Sequence, residues 1–304
     1  VSETPLEWLA LARGTHDRVA DRRRDDAWVA RRWADQRSRV LVVEGGRVPV
    51  AFDPTPRLAF VPPARAPEGE RYLLGVDERG VAHFAVAAPP PAVEGAEPAD
   101  LRRVGALLDD LDSGLMAHAV ALRNWHDTHR FCPRCGAPTE IASAGHVRVC
   151  TRDDSQHFPR VDPAVIMLVR DDDDRVLLAR GPQWPEDRRS ILAGFVEPGE
   201  SLEQAVEREV FEEVGVRVHD IRYVGSQPWP LPQSLMVGYF ARAASGQELR
   251  PDPEEIRDAA WYSRDELREA VERGDLVSPG PLSIAAQMIT RWYGGPLPRQ
   301  AEFR

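Results

Sequence analysis

Residues 201–215, SLEQAVEREVFEEVG, carry both ends of a helix and the face it must bury. Ser201 with Gln204 three positions on is a capping box, which gives the first backbone N–H groups side-chain partners. Gly215 suits the left-handed residue that stops a helix. Between them Leu202, Val206, Val210 and Val214 recur every four positions as one apolar stripe. The rest is crowded with acid: five of the nine residues in 207–215 are charged, and four of those are glutamates. At about 100° per residue, Glu209, Glu212 and Glu213 share an arc of roughly 100° beside the stripe. Glu213 then sits at the margin of the buried face, partly out of water. Like charges at these spacings cost roughly 0.2–0.5 kcal/mol per pair on a solvated helix, and burial increases that cost. A solvated face usually mixes signs, and here only Arg208 relieves the cluster. A divalent cation removes the repulsion. Carboxylates on one rigid face are the hard oxygen ligands that Mg²⁺ or Mn²⁺ takes.

The helix is preceded by GFVEPGE, with Gly194, Gly199 and Glu200. Written out from Gly194 to Val216, the stretch is G-x5-E-x7-R-E-V-F-E-E-V-G-V. It resembles the Nudix box at every defined position. The resemblance implies a hydrolase that cleaves a nucleoside diphosphate linked to another moiety with the help of a divalent metal. It implies that Glu209, Glu212 and Glu213 hold the metal and that Arg208 orients the carboxylates. Glu213 would combine ligand and base roles, with Glu200 as an outer ligand. Pyrophosphate hydrolysis needs charge neutralised on phosphate oxygens and a water activated, and clustered metal ions do both.

A second stretch, SQPWPLPQSLM at 226–236, narrows the substrate. Its prolines hold Trp229 in a stiff loop. It resembles S-Q-P-W-P-F-P-x-S, the signature of the NAD(H) pyrophosphatases within the Nudix superfamily. Leu231 stands where that branch usually has an aromatic, which bears on fine substrate preference. FCPRCGAPT, HFPRVDPAVIML and DPEEI resemble further segments of the branch, so the resemblance covers about residues 120–290. It implies that Phe195 stacks on the nicotinamide ring and that Phe158 of the other subunit closes the opposite side, hence a homodimer. It places Trp229, Ser234, Met236, Ile166 and Ala285 in the pocket lining and makes Glu255 an additional acidic ligand. Rigid aromatic faces suit a flat heteroaromatic ring. Taken singly, Phe158 and Phe195 are ordinary core candidates.

Three cysteines cannot all pair, and Cys132 and Cys135 form a C-x-x-C. That pattern points to a reducing cytoplasm and a metal site rather than a disulfide framework. By resemblance, Cys132, Cys135 and Cys150 are three ligands of a zinc ribbon. The branch commonly has a fourth cysteine where this chain has Asp153. Asp153 can ligate zinc, and Asp154 or His157 is also in reach. The alternative is a degenerate ribbon that folds without metal. Zinc bound there would be structural. His126, His129 and His146 lie near in sequence and are singly unremarkable.

The chain of 304 residues suggests an α+β protein of about two domains with a ribbon between. The expected divisions are a β-rich and helical N-terminal domain over 1–124, a zinc-ribbon-like segment over 125–160, and a Nudix α/β/α sandwich over 161–304. Residues 3–36 look helical, and the RRRDD run at 22–26 reads as a solvated face. RVLVVEGGRVPVAF reads as strand, Gly-Gly turn and strand, and RYLLGVDERGVAHFAVAA as a hairpin. Residues 88–100 read as a Pro-rich linker, and 101–130 as helix with a break near Ser113–Gly114. In the catalytic domain, strands are expected at AVIMLVR, RVLLAR, 217–225 and 235–243, and a last helix over 281–293.

A net charge of −10 is poorly suited to bulk binding of nucleic acid. No apolar run approaches a membrane span, and the N-terminus lacks the pattern of a secretory signal. Three functions follow as expectations. The first is hydrolysis of NADH or NAD⁺ to NMN(H) and AMP, with NAD-capped RNA as a second substrate. The second is Nudix hydrolysis of ADP-ribose or another dinucleotide, against which the Trp229 loop argues. The third is a non-catalytic nucleotide-sensing module, against which the intact acidic set argues.

Overall fold

The computed structural model describes residues 5–298. They form two compact units: one of residues 11–161 with 228–234, the other of the remainder.

The first unit opens with a short helix α1 (Asp26–Ala34), capped by Asp25, whose carboxylate accepts from Trp28 N. The expected helix over 3–36 is therefore confined to its second half, apart from one 3-10 turn at 20–22. The charged periodicity was real, but the apolar residues ahead of it are claimed by tertiary packing: Leu9, Ala10 and Leu11 are buried. Strands β1 (Arg39–Val43) and β2 (Arg47–Ala51) follow the expected pattern. Gly45 and Gly46, at φ +54° and +76°, turn the chain between them. The two strands then go to different sheets. β2 pairs antiparallel with β3 (Arg57–Leu58) and β6 (Ala96–Asp100), whereas β1 runs parallel to β5 (Ala82–Ala87), which also pairs with β4 (Glu70–Val76). The β4–β5 hairpin turns where expected, around Asp77–Gly80. The Pro-rich linker ends early, because residues 96–100 are the strand β6.

Helices α2 (Leu101–Val104) and α3 (Asp110–Thr128) complete this part. The break falls at 105–109, not at Ser113–Gly114, through which α3 runs continuously. Gly114 is needed for a different reason: a Cβ on it would lie 2.3 Å from Gly14 Cα. Two backbones touch there, so Gly114 marks a close approach rather than a helix break. The strands β7 (Thr139–Ala142), β8 (Val147–Cys150) and β9 (Gln156–His157) form a small antiparallel sheet.

The second unit is built on a sheet of β10 (Asp162–Arg170), β11 (Val176–Arg180), β12 (Leu192–Phe195), β13 (Val218–Trp229), β14 (Ser234–Ala243) and β15 (Asp258–Tyr262). Its order is β13-β14-β10-β11-β15, with β12 paired to β10. Alternation along the strands divides the core in two. Ile166, Leu168, Val176 and Leu178 face one side, with α6 (Ile284–Tyr293) and α5 (Arg264–Arg273). Val165, Met167, Val169 and Leu177 face the other, with α4 (Leu202–Val214). The result is an α/β/α sandwich. Residues near the N-terminus belong to this unit: Leu6 N donates to Val224 O at 2.7 Å, and Leu9 joins the α6 side of the core. No helix among the described residues is long and apolar enough to cross a membrane.

Candidate active site

Helix α4 starts and stops where its local chemistry dictates. Ser201 Oγ accepts from Gln204 N, and the Gln204 side chain accepts from Ser201 N. Gly215 closes the helix at φ +73°. Val206, Val210 and Val214 are fully buried against the sheet, with Leu202 packed at the edge. This packing fixes the rotation of the helix, and the rotation sorts the glutamates. Glu209 and Glu213 turn inward and are only 8% and 7% exposed, while Glu212 is exposed.

The third carboxylate near Glu209 and Glu213 comes from a distant loop. Asp252 N donates to the Glu213 backbone carbonyl at 2.9 Å. Ile256 N and Glu255 N then fold back on Asp252 O, and Ile256 is buried under the sheet. Glu255 is thereby carried to the helix. One oxygen each from Glu209, Glu213 and Glu255 lies within 4.8 Å of the others. Glu212 and Glu200 lie outside that set. Both are held by Arg208, whose five N–H groups reach Glu200 Oε1 (2.6 Å) and Oε2 (3.1 Å), Glu209 Oε1 (2.8 Å), Glu212 Oε2 (3.1 Å) and Phe195 O (2.9 Å). A guanidinium is the one side chain with this many donors in a fixed plane. Arg208 ties the loop 195–200 to α4, and its partners hold its proton more tightly than usual.

The electrostatics of the three carboxylates are unfavourable as they stand. Burial, then Glu209 and Glu255, push the Glu213 carboxyl up to about 8. Burial also raises Glu209, with Glu255 and Glu212 adding to it and Arg208 opposing. Glu213 Oε2 is buried and has no hydrogen-bond partner among the described residues. A buried carboxylate oxygen without a donor is costly unless a cation meets it. Three hard oxygen donors at this spacing fit a divalent cation such as Mg²⁺ or Mn²⁺.

Gly194, in β12, was noted in the sequence only as part of the motif. A Cβ there would lie 1.9 Å from Glu209 Cδ, so the Glu209 carboxylate occupies the space of the missing side chain. The substitution Gly194→Ala is expected to displace Glu209, leave the fold intact, and weaken Mn²⁺ binding by roughly 10-fold or more, on the scale of other losses of a ligand's support. Calorimetric titration of Mn²⁺ beside a circular dichroism spectrum checks this.

The remaining candidate residues fall in several places. Phe195 is 61% exposed at the end of β12, paired with Ala164. Ile166 and Ala285 are buried in one core cluster, against which Met236 packs. Trp229 and Ser234 are half-buried, and Phe158, just past β9, is 59% exposed.

The cysteine segment forms a separate constellation on the small sheet. One donor atom each from Cys132, Cys135, Cys150 and Asp153 lies within 4.8 Å of the others. Two similar turns present them. In the first, Cys132 and Cys135 are followed by Gly136 at φ +71°, with Gly136 N donating to Cys132 O. In the second, Cys150 and Asp153 are followed by Asp154 at φ +55°, with Asp154 N donating to Cys150 O. Asp153 thus occupies the place in its turn that Cys135 occupies in the other. Three thiol sulfurs and a carboxylate are a donor set that zinc accepts. The neighbouring histidines have other partners, His157 through Ser155, whose Oγ also donates to Asp153 Oδ1 at 2.6 Å. His157 Nε2 lies 3.2 Å from Ser155 Oγ, His126 Nε2 donates to Gly145 O, and His146 Nε2 donates to Leu73 O.

Family models match in three blocks: an NADH pyrophosphatase-like rudimentary NUDIX domain over 29–125, an NADH pyrophosphatase zinc ribbon domain over 127–158, and a NUDIX domain over 160–279. Proteins named NAD-capped RNA hydrolase NudC from Mycobacterium bovis and Mycobacterium tuberculosis are each 46% identical over 270 residues, 85% of this chain and 84% of theirs. The human NAD-capped RNA hydrolase NUDT12 is 40% identical over 197 residues, 61% of this chain and 42% of that one. A fold with α4 against one face of a mixed sheet, an acidic set on that helix, and these matches define a Nudix hydrolase. The chain belongs to the NADH pyrophosphatase branch of that family.

Proposed function

We propose that this chain hydrolyses the pyrophosphate bond of NADH and NAD⁺ to NMN(H) and AMP, and removes NAD caps from RNA 5′ ends. The observation that carries the reading is the convergence of Glu209, Glu213 and Glu255, with Glu213 Oε2 buried and unpartnered. The names of the mycobacterial relatives support the dinucleotide end of the substrate.

In this reading Glu209, Glu213 and Glu255 hold Mg²⁺ or Mn²⁺, with Glu212 at the rim. The bound cation supplies neutralisation of phosphate charge and an acidified water. Glu213, beside the cation, takes a proton from the attacking water. Arg208 keeps the carboxylates and the loop 195–200 in register. Phe195 stacks on the nicotinamide, Phe158 of a second copy covers its other face, and Ile166, Trp229, Ser234, Met236 and Ala285 line the rest. That arrangement makes the working protein a homodimer, and its free cysteines fit a reducing cytoplasm. Cys132, Cys135, Cys150 and Asp153 hold a structural zinc.

The test is product analysis after incubation with Mn²⁺ and NADH, NAD⁺, NAD-capped RNA or ADP-ribose separately. NMN(H) and AMP from the dinucleotides, NMN from the capped RNA, and little ADP-ribose cleavage are expected. Cleavage of ADP-ribose alone would keep the acidic site and discard the nicotinamide pocket.

A further inference from the structure

The loop carrying Trp229 and Ser234 poses an accounting problem for its backbone. Pro228 and Trp229 end β13 and Ser234 begins β14, so the turn between the strands is residues 230–233, and Pro230 and Pro232 within it have no N–H to donate. Within the turn Leu231 N donates to Trp229 O at 2.7 Å. The carbonyls must find donors elsewhere, because unpaired backbone groups away from water are costly.

Asn124, on α3, supplies them. Its Nδ2 donates to Pro230 O and to Pro232 O, each at 3.0 Å. Both partners are acceptors, so the amide must present its nitrogen rather than its oxygen. The donor is rigidly placed: Trp125 and His126, the next two residues, are each 1% exposed, which fixes the rotation of α3. On α2, the Arg102 guanidinium lies 5.7 Å from the centre of the Trp229 ring, within range of a cation–π contact. Residues 228–234 accordingly pack in the unit formed by residues 11–161, although β13 up to Gln227 and β14 from Leu235 belong to the sandwich.

We infer that Asn124 is a positioning residue for substrate recognition. Through its two hydrogen bonds, with Arg102 as a second clamp, the helices of the N-terminal region hold the tryptophan loop in its binding shape. The inference rests on the assignment of Trp229 and Ser234 to substrate binding. It gives the N-terminal region a part in specificity that does not require it to touch the substrate. A group that orients a binding residue acts on affinity, and displacements on the scale of 1 Å are enough to be felt.

The experiment compares Asn124→Asp with Asn124→Ala in the full chain. Asp has the shape of Asn but only acceptor oxygens, and it would face two carbonyls. Hydrogen exchange of the peptide covering 226–236 should accelerate in both variants, more in Asn124→Asp. The KM for NADH should rise roughly 10-fold or more in Asn124→Asp, with kcat and Mn²⁺ binding little changed. A packing role alone would leave Asn124→Asp like the native protein. Unchanged exchange in the loop overturns the inference, as does faster exchange with an unchanged KM. If the native protein does not cleave NADH, the proposed function fails, and hydrogen exchange still decides whether Asn124 holds the loop.

Discussion

Replacing Glu213 with Gln is expected to lower turnover of NADH by roughly 10²–10⁴-fold, the usual range for losing a positioned base, while making the metal-free protein more stable. Both effects have one origin. Glu213 is buried beside Glu209 and Glu255, and its carboxyl is pushed up to about 8 from an ordinary 4.5. A group whose folded pKa is raised contributes stability that is complete below the unfolded value and lost as pH rises through the folded one. The metal-free native protein should therefore lose up to about 4 kcal/mol between pH 4.5 and 8, at about 1.4 kcal/mol per unit. In Glu213→Gln that slope flattens, so the variant melts higher at pH 8 in chelator. Excess Mn²⁺ should reverse the order, because a ligand that binds only the folded state stabilises the protein that binds it better. Melting curves across this pH range, with chelator and with Mn²⁺, check the sign. Near-normal turnover in the variant would remove Glu213 from the mechanism.

The second large effect concerns the ribbon. Its core among the described residues consists of Cys132, Ala137 and Cys150 with Cys135 against them, so the metal-ligand candidates are most of the core. That cluster buries little apolar surface at the metal-ligand end of the sheet, while the β7–β8 turn is tied to α3 and β4 through His126 and His146. Metal binding in such segments carries the folding free energy, with apparent values of about 10–16 kcal/mol in isolated zinc modules. Cys150→Ser should abolish stoichiometric zinc and destabilise the β7–β9 sheet by several kcal/mol. Asp153→Cys should retain zinc and bind it more tightly. Elemental analysis and exchange protection of residues 139–157 are the measurements. A native protein that carries no zinc and keeps full protection in that segment would identify the ribbon as one that folds without metal.

The two sites differ in how much of them was legible beforehand. The ends of α4, its buried stripe and the crowding of its acids depend on residues three or four positions apart, and all appear as read. The Cys132–Cys135 pair is equally local. The helical arc placed Glu209, Glu212 and Glu213 together, but an arc has two edges. Which edge is buried depends on β12 and the loop 252–256 that pack against the helix. Glu212 lies on the outer edge and is answered by Arg208. Glu255, reached in the sequence only through resemblance, is brought in by Asp252 bonding to the carbonyl of Glu213. The helix expected over residues 3–36 failed for the same kind of reason, since burial of Leu9 to Leu11 outweighs a helical propensity that is weak by comparison. Gly114 looked like a break because a glycine in a helix is costly. Its neighbour Gly14 is far away in sequence, and no local pattern points to it.

What the amino-acid order determines alone is therefore short-range: helix limits, strand alternation, the C-x-x-C pair of a ribbon, and a motif dense enough to name the family. Tertiary structure decided which carboxylates meet, how Gly194 makes room for Glu209, and that Asn124 holds a loop more than a hundred residues away. Helix and strand periods repeat every few residues and are written into the chain. A contact between distant segments depends on the balance of burial and backbone hydrogen bonding over the whole unit, and that balance exists only once the chain has folded.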